Sequence, residues 1–219
     1  MITPRLDNIL THISGKTMAD IGTDHAYIPI SLIKDGRVDM AIACDIKPGP
    51  LEIAEKNIKK YGFEDKIELR LGSGLEPITE AEVETVVIAG IGGEMIINIL
   101  KNEKSRSFPE LILQPMNYQA ELRLWLFENG FSILSEDLSK EGFKVYNLIK
   151  ARPGKSHEKF TEIDLHLPKS LRSHPLFPML YDKKKREFTK ILTGLKKAQN
   201  KDTRLITFYE NLLEEMKNL

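Results

Sequence analysis

One cysteine among 219 residues leaves no partner for an internal disulfide, and fits a chain expected in a reducing cytoplasm. Cys44 lies in the apolar run Ala41–Asp45, where it reads as a small buried hydrophobe rather than a nucleophile. The histidines His12, His25, His157, His166 and His174 stand in no metal-ligand spacing with one another or with the cysteine, so no metal is expected. No run of about 18 apolar residues is present, so no membrane span is expected. The first residues, Met1–Leu6, lack the apolar core of a signal segment. Also missing is the G-x-G-x-x-G fingerprint that cradles a pyrophosphate.

Net charge is zero, but it is unevenly spread. Residues 1–150 hold 17 basic and 23 acidic side chains, a net of −6. Residues 151–219 hold 15 and 9, a net of +6. The basic C-terminal part, with the run Lys183-Lys184-Lys185-Arg186, suggests contact with a polyanion; the other reading is a solvated helical surface. A hydrophobic content of 41% suffices for a packed core, and the length suits one medium domain with an appendage.

The stretch Ala19-Asp20-Ile21-Gly22-Thr23-Asp24-His25-Ala26 passes from small apolar residues through an acid to a glycine turn and a helix-forming run. That is how a parallel strand hands over to a helix at a nucleotide-type site. Asp45 ends the next strand, 25 residues beyond Asp20, where a ribose-hydroxyl acceptor usually stands. One glycine with two acids, and no pyrophosphate cradle, points to S-adenosylmethionine.

Strands are expected at Thr17–Ile21, Ala41–Asp45, Ile67–Leu71, Thr85–Ala89 and Leu111–Gln114, with Thr85–Ala89 central because it is the most apolar. Helices are expected at Ala26–Lys34, Pro50–Tyr61, Gly92–Lys101 and Gln119–Asn129. Phe131–Leu138 and Phe143–Ala151 then form an antiparallel pair. The fold class is therefore α/β, a Rossmann-like methyltransferase sheet, mostly parallel with an antiparallel last strand. Arg152–Ser156 is a composition break, giving domains 1–152 and 153–219. In the second, Leu180, Lys184, Phe188, Ile191 and Leu195 form one helical stripe. Leu205, Phe208, Leu212, Met216 and Leu219 form another, so an antiparallel coiled-coil appendage is expected.

In such sheets the exit of the third strand, Gly72-Ser73-Gly74-Leu75, holds an adenine ring. The turn after the central strand, Ala89-Gly90-Ile91-Gly92-Gly93, lets acceptor and donor meet. These segments, with Gly49-Pro50 and Leu113-Gln114-Pro115-Met116, occur in the order found in the bacterial tRNA adenine-N1 methyltransferases of the TrmK type, which the chain resembles over about residues 2–151. Ser73 and Ile91 depart from that family's usual residues.

The resemblance implies methylation of N1 of adenine 22 in tRNA, with S-adenosylmethionine as donor. Cofactor contacts are expected from Asp20, Gly22, Thr23, Asp24, His25, Asp45, Ile46, the third-strand exit and the glycine turn. Methylation leaves a cation on the base, so a carboxylate near its N1/N6 edge is needed, and Asp24 is chosen because it follows the cofactor turn; the other reading of Asp24 is a helix N-cap. Tyr27 and Tyr118 are candidates for stacking on an extruded base, or for plain packing. Gln114, Pro115 and Asn117 are placed to read adenine's edge, and Arg5 to touch phosphate. Substrate contacts of the tail fall on Lys183, Lys184, Lys185 and Arg186. A monomer or weak dimer is expected. The competing classes are a methyltransferase acting on another RNA or a small molecule, and a non-catalytic nucleic-acid-binding module.

Overall fold

The structure, a computed structural model, describes residues 2–155 and 159–219. Ser156, at the expected break, and His157, among the histidines surveyed for metal spacing, lie outside the described residues, as does Met1. The chain divides into two compact units, Met1–Ser156 and His157–Leu219.

The first unit runs α1 (Pro4–His12), β1 (Thr17–Ile21), α2 (Tyr27–Lys34), β2 (Met40–Asp45), α3 (Pro48–Tyr61), β3 (Ile67–Leu71), β4 (Thr85–Ile91), α4 (Gly93–Leu100), β5 (Glu110–Pro115), α5 (Gln119–Glu128), β6 (Phe131–Glu141) and β7 (Lys144–Pro153). The seven strands lie in the order β3-β2-β1-β4-β5-β7-β6. β1 to β5 are parallel, and β7 enters antiparallel between β5 and β6. Strand order reverses between β1 and β4, the switch point beside which open α/β sheets bind ligands.

The central strands are apolar on both faces because both are covered. In β4, Val86 and Ile88 face one layer with Ile96 and Leu100 of α4 and Leu122 and Leu126 of α5. Val87 faces the other, with Ile9 and Leu10 of α1, Ile28 of α2 and Ala54 of α3. α5 and β6 are joined by the stacked rings of Trp125 and Phe131, 5.7 Å apart. Gly62 closes α3 in the left-handed region at φ +70°, the backbone that favours glycine.

Sequence patterning gives β1 and β3 their observed bounds and misses α1. That helix has its own signals: Thr3 accepts a hydrogen bond from the Leu6 N–H, Pro4 sits in the first turn, and Ile9 and Leu10 are buried.

The second unit contains α6 (Glu162–His166), α7 (Phe177–Lys197) and α8 (Thr203–Met216). The Tyr181 hydroxyl near the start of α7 donates to the Met216 carbonyl at the end of α8, and Lys196 near the end of α7 pairs with Glu210 at 2.6 Å. The two helices are therefore an antiparallel hairpin. The expected stripe is not sealed along its length: Leu205 is exposed, and Leu219 lies beyond the end of α8.

Candidate active site

Five parallel strands end at one edge of the sheet, and the turns after β1 and β4 face each other across the switch point. They enclose a pocket of about 380 Å³, within the range of small-molecule sites. After β1, Gly22 takes φ +80°, and no atom lies within 4 Å of where its Cβ would stand, so the turn is open toward the pocket. Its N–H and that of Thr23 both donate to the Cys44 carbonyl, tying the turn to β2. After β4, Gly90 takes φ +77° as the extra residue of a bulge between Ala89 and Ile91. All three residues line the pocket.

Asp20 is the buried acid of this pocket, 6% exposed. Burial pushes its carboxyl up to about 6; Thr23 opposes the shift and Asp45 adds to it. Asp24 and His25 also line the pocket, with Asp24 Oδ2 3.1 Å from His25 Nε2. The His25 ring stacks on Tyr27 at 5.0 Å. Asp24 does not cap α2, which starts from Ala26 in the left-handed region at φ +55° with no side-chain cap. Asn57 of α3 donates its amide to the His25 carbonyl and so holds this turn in place.

Asp45 stands half-buried at the end of β2, its Oδ1 accepting the Lys47 N–H at 2.8 Å. Ile46 beside it is 64% exposed. Just past β3, the Gly72 N–H donates to the Asp45 carbonyl, and the exposed Ser73 follows. Arg70 braces this exit by donating to the Pro77 carbonyl and to both Glu82 oxygens. It holds the Glu82 carboxyl down near 2.

Several residues expected as contacts also serve the framework. Leu75 is 1% exposed, and its side chain belongs to the core. Gly93 is buried and its N–H donates to the backbone and side-chain oxygens of Asn117; a Cβ there would lie 2.6 Å from the Asn117 carbonyl. Gly92 packs beside the Asn117 amide, and Gly74 against Ile99. Gly93 and Asn117 therefore join the β4 and β5 turns to each other. Gln114 and Pro115 are buried rather than open to a substrate edge. Arg5 is not a free phosphate ligand. Its Nη1 donates to Gln114 Oε1 at 2.7 Å, its Nε lies 3.8 Å from Glu141, and its guanidinium sits 5.9 Å from the Tyr146 ring. In the basic run, Lys184 is buried and paired with Glu187 at 3.1 Å, because it occupies the apolar stripe of α7. Burial also lowers the Lys183 ammonium, which leaves Lys185 and Arg186 as the exposed cations of the run.

A family of methyltransferase domains matches residues 2–149. The tRNA (adenine(22)-N(1))-methyltransferase of Bacillus subtilis is 34% identical over 167 residues, covering 75% of this chain and 70% of that protein. The chain belongs to this tRNA (adenine(22)-N(1))-methyltransferase family. Sp1610 of Streptococcus pneumoniae, solved in complex with S-adenosyl-L-methionine, is 30% identical with a TM-score of 0.87, over 100% of this chain and 99% of that one. TrmK of M. capricolum, solved with S-adenosyl-homocysteine, is 28% identical with a TM-score of 0.85, over 100% and 97%. In this member of the tRNA (adenine(22)-N(1))-methyltransferase family, the start of α1 forms one wall of the pocket, through its N-cap Thr3 and through Arg5 and Leu6 of its first turn. The cap and proline at its start were the signal for that wall. Nothing local marks the Arg5–Gln114 bond, which joins residues 109 positions apart.

Proposed function

We propose that this chain transfers a methyl group from S-adenosylmethionine to N1 of adenine 22 in tRNA, acting in the cytoplasm as a monomer or weak dimer. The observation that carries the reading is Asp20, a buried carboxylate in a pocket opened by two left-handed glycines at the switch point. Uncompensated, its charge is costly, and a cationic ligand relieves that cost. A sulfonium suits the site for that reason, and S-adenosylmethionine supplies an activated methyl group on one.

Asp45, fixed by Lys47 N–H, is the ribose-hydroxyl acceptor of this arrangement. Ile46 and the Gly72–Ser73 exit flank the adenosine side. Adenine N1 must be unpaired and extruded before it can react. Bond formation at N1 leaves positive charge on the ring and makes the N6 protons more acidic. Asp24, its side chain 74% exposed and its orientation held by His25, offers the carboxylate that stabilises this charge or takes the proton. Lys185 and Arg186 of the helical hairpin hold phosphate, orienting the tRNA while the pocket selects the base.

The test is tRNA lacking the modification, incubated with protein and cofactor, digested, and analysed by mass spectrometry of its nucleosides. N1-methyladenosine is expected, and is lost when adenine 22 is replaced. Asp24→Asn keeps the shape and removes the charge. It is expected to lower turnover about 100-fold while leaving cofactor affinity nearly unchanged. A loss confined to affinity makes Asp24 a binding residue and removes it from the chemistry.

A further inference from the structure

The β6–β7 hairpin is longer than the sheet edge requires. Leu113 of β5 pairs with Ile149 of β7, and β5 stops at Pro115. Continuing that register sets Asn147 level with Pro115, so Lys144–Tyr146 run about 10 Å past the end of β5, at about 3.3 Å per residue. They project from the same edge on which the pocket opens. The projection is tied to the pocket wall by Arg5, which lines the pocket and reaches both Glu141 and the Tyr146 ring.

The tip itself is a two-residue turn, Gly142-Phe143, closed by the Glu141–Lys144 pair, with Gly142 at φ +57°. Phe143 is 101% exposed, the most exposed large apolar side chain among the described residues. Lys140 and Lys144 flank it and are exposed as well. An aromatic ring wholly in water adds nothing to the core, and polar residues serve a tight turn better. An exposed ring between two cations is instead the composition that meets single-stranded nucleic acid, in which bases stack on aromatics and phosphates meet lysines.

We propose that the tip of the β6–β7 hairpin is a second contact for the RNA substrate: Phe143 stacks on an unpaired base next to the extruded adenine, and Lys140 and Lys144 hold the flanking phosphates. Extruding adenine 22 leaves the π-face of a neighbouring base without its stacking partner, and Phe143 covers such a face. The inference rests on tRNA being the substrate.

The experiment is steady-state methylation of tRNA by the full chain and by Phe143→Ala, Phe143→Tyr and Lys140→Ala/Lys144→Ala. Cofactor affinity is measured in parallel by calorimetry. Phe143→Ala is expected to raise KM for tRNA about tenfold with cofactor affinity and melting temperature unchanged, and Phe143→Tyr to retain the wild-type KM. The double lysine variant is expected to flatten the dependence of log KM on log salt by about 1–2. A wild-type chain that does not methylate tRNA overturns the substrate reading and the hairpin role with it. A wild-type chain that does, alongside Phe143→Ala of unchanged KM, overturns the hairpin role alone. A change of Phe143→Ala in sedimentation with unchanged KM assigns the ring to self-association instead.

Discussion

Burial holds the Asp20 carboxyl at about 6 in the folded chain, against an ordinary 3.8. The folded state therefore binds the proton more tightly than the unfolded state, and stability falls as pH rises between those values. Above about pH 6 the cost is constant, at about 3 kcal/mol as an upper figure. Asp20→Asn is expected to unfold at higher denaturant concentration than the wild type at pH 7, with the difference vanishing near pH 4. A cationic ligand favours the ionised carboxylate, so S-adenosylmethionine should bind more tightly at pH 7 than at pH 5, with proton release on binding near pH 5.5. Calorimetry in buffers of different ionisation enthalpy reads that release; affinity independent of pH would separate Asp20 from the donor. Asp20 and Gly22 were legible as a site because a small-residue strand running into an acid and a glycine is itself a chemical statement. The burial of Leu75 was not, since a glycine-flanked leucine looks exposed until a neighbouring element covers it; Lys184 carried two signals, the basic run and the apolar stripe of its helix, and in the folded chain the stripe decides its burial.

At the scale of elements, periodicity and turn chemistry located every strand of the sheet. The two-sided apolar runs of β1 and β4 and the glycine closing α3 each state one local requirement. What stayed hidden were joints between elements distant in sequence. One is the Arg123 side chain of α5, 2% exposed, whose Nε lies 2.6 Å from Glu136 of β6 and whose Nη2 donates to Asn147 of β7. Arg123→Ala leaves Glu136 buried with less compensation and is expected to cost about 3–5 kcal/mol. In a unit of this size that lowers the melting temperature by roughly 10 °C, measured by circular dichroism. Replacing Glu136 by Leu in the same variant should recover much of the loss. The other joint is α1, which supplies a pocket wall and, through Arg5, links Gln114 to the β6–β7 hairpin.

For the whole molecule, the division of charge and the division into units run together: an acidic sheet unit holds the pocket, and a basic helical unit follows it. Deleting residues 156–219 should leave cofactor binding nearly intact, because every residue lining the pocket lies in the first unit. It should weaken tRNA binding and flatten its salt dependence. Filter binding across a salt series checks this, and a truncated chain that binds and methylates like the full one would make the helical hairpin a packing element. The chain's one tryptophan, Trp125, belongs to the first unit, stacked on Phe131, and the second unit has none. Its emission therefore reports the sheet unit alone, whereas far-ultraviolet dichroism sums both units. Melting curves from the two signals that coincide mean the units unfold as one cooperative body, and curves that separate give each unit its own transition.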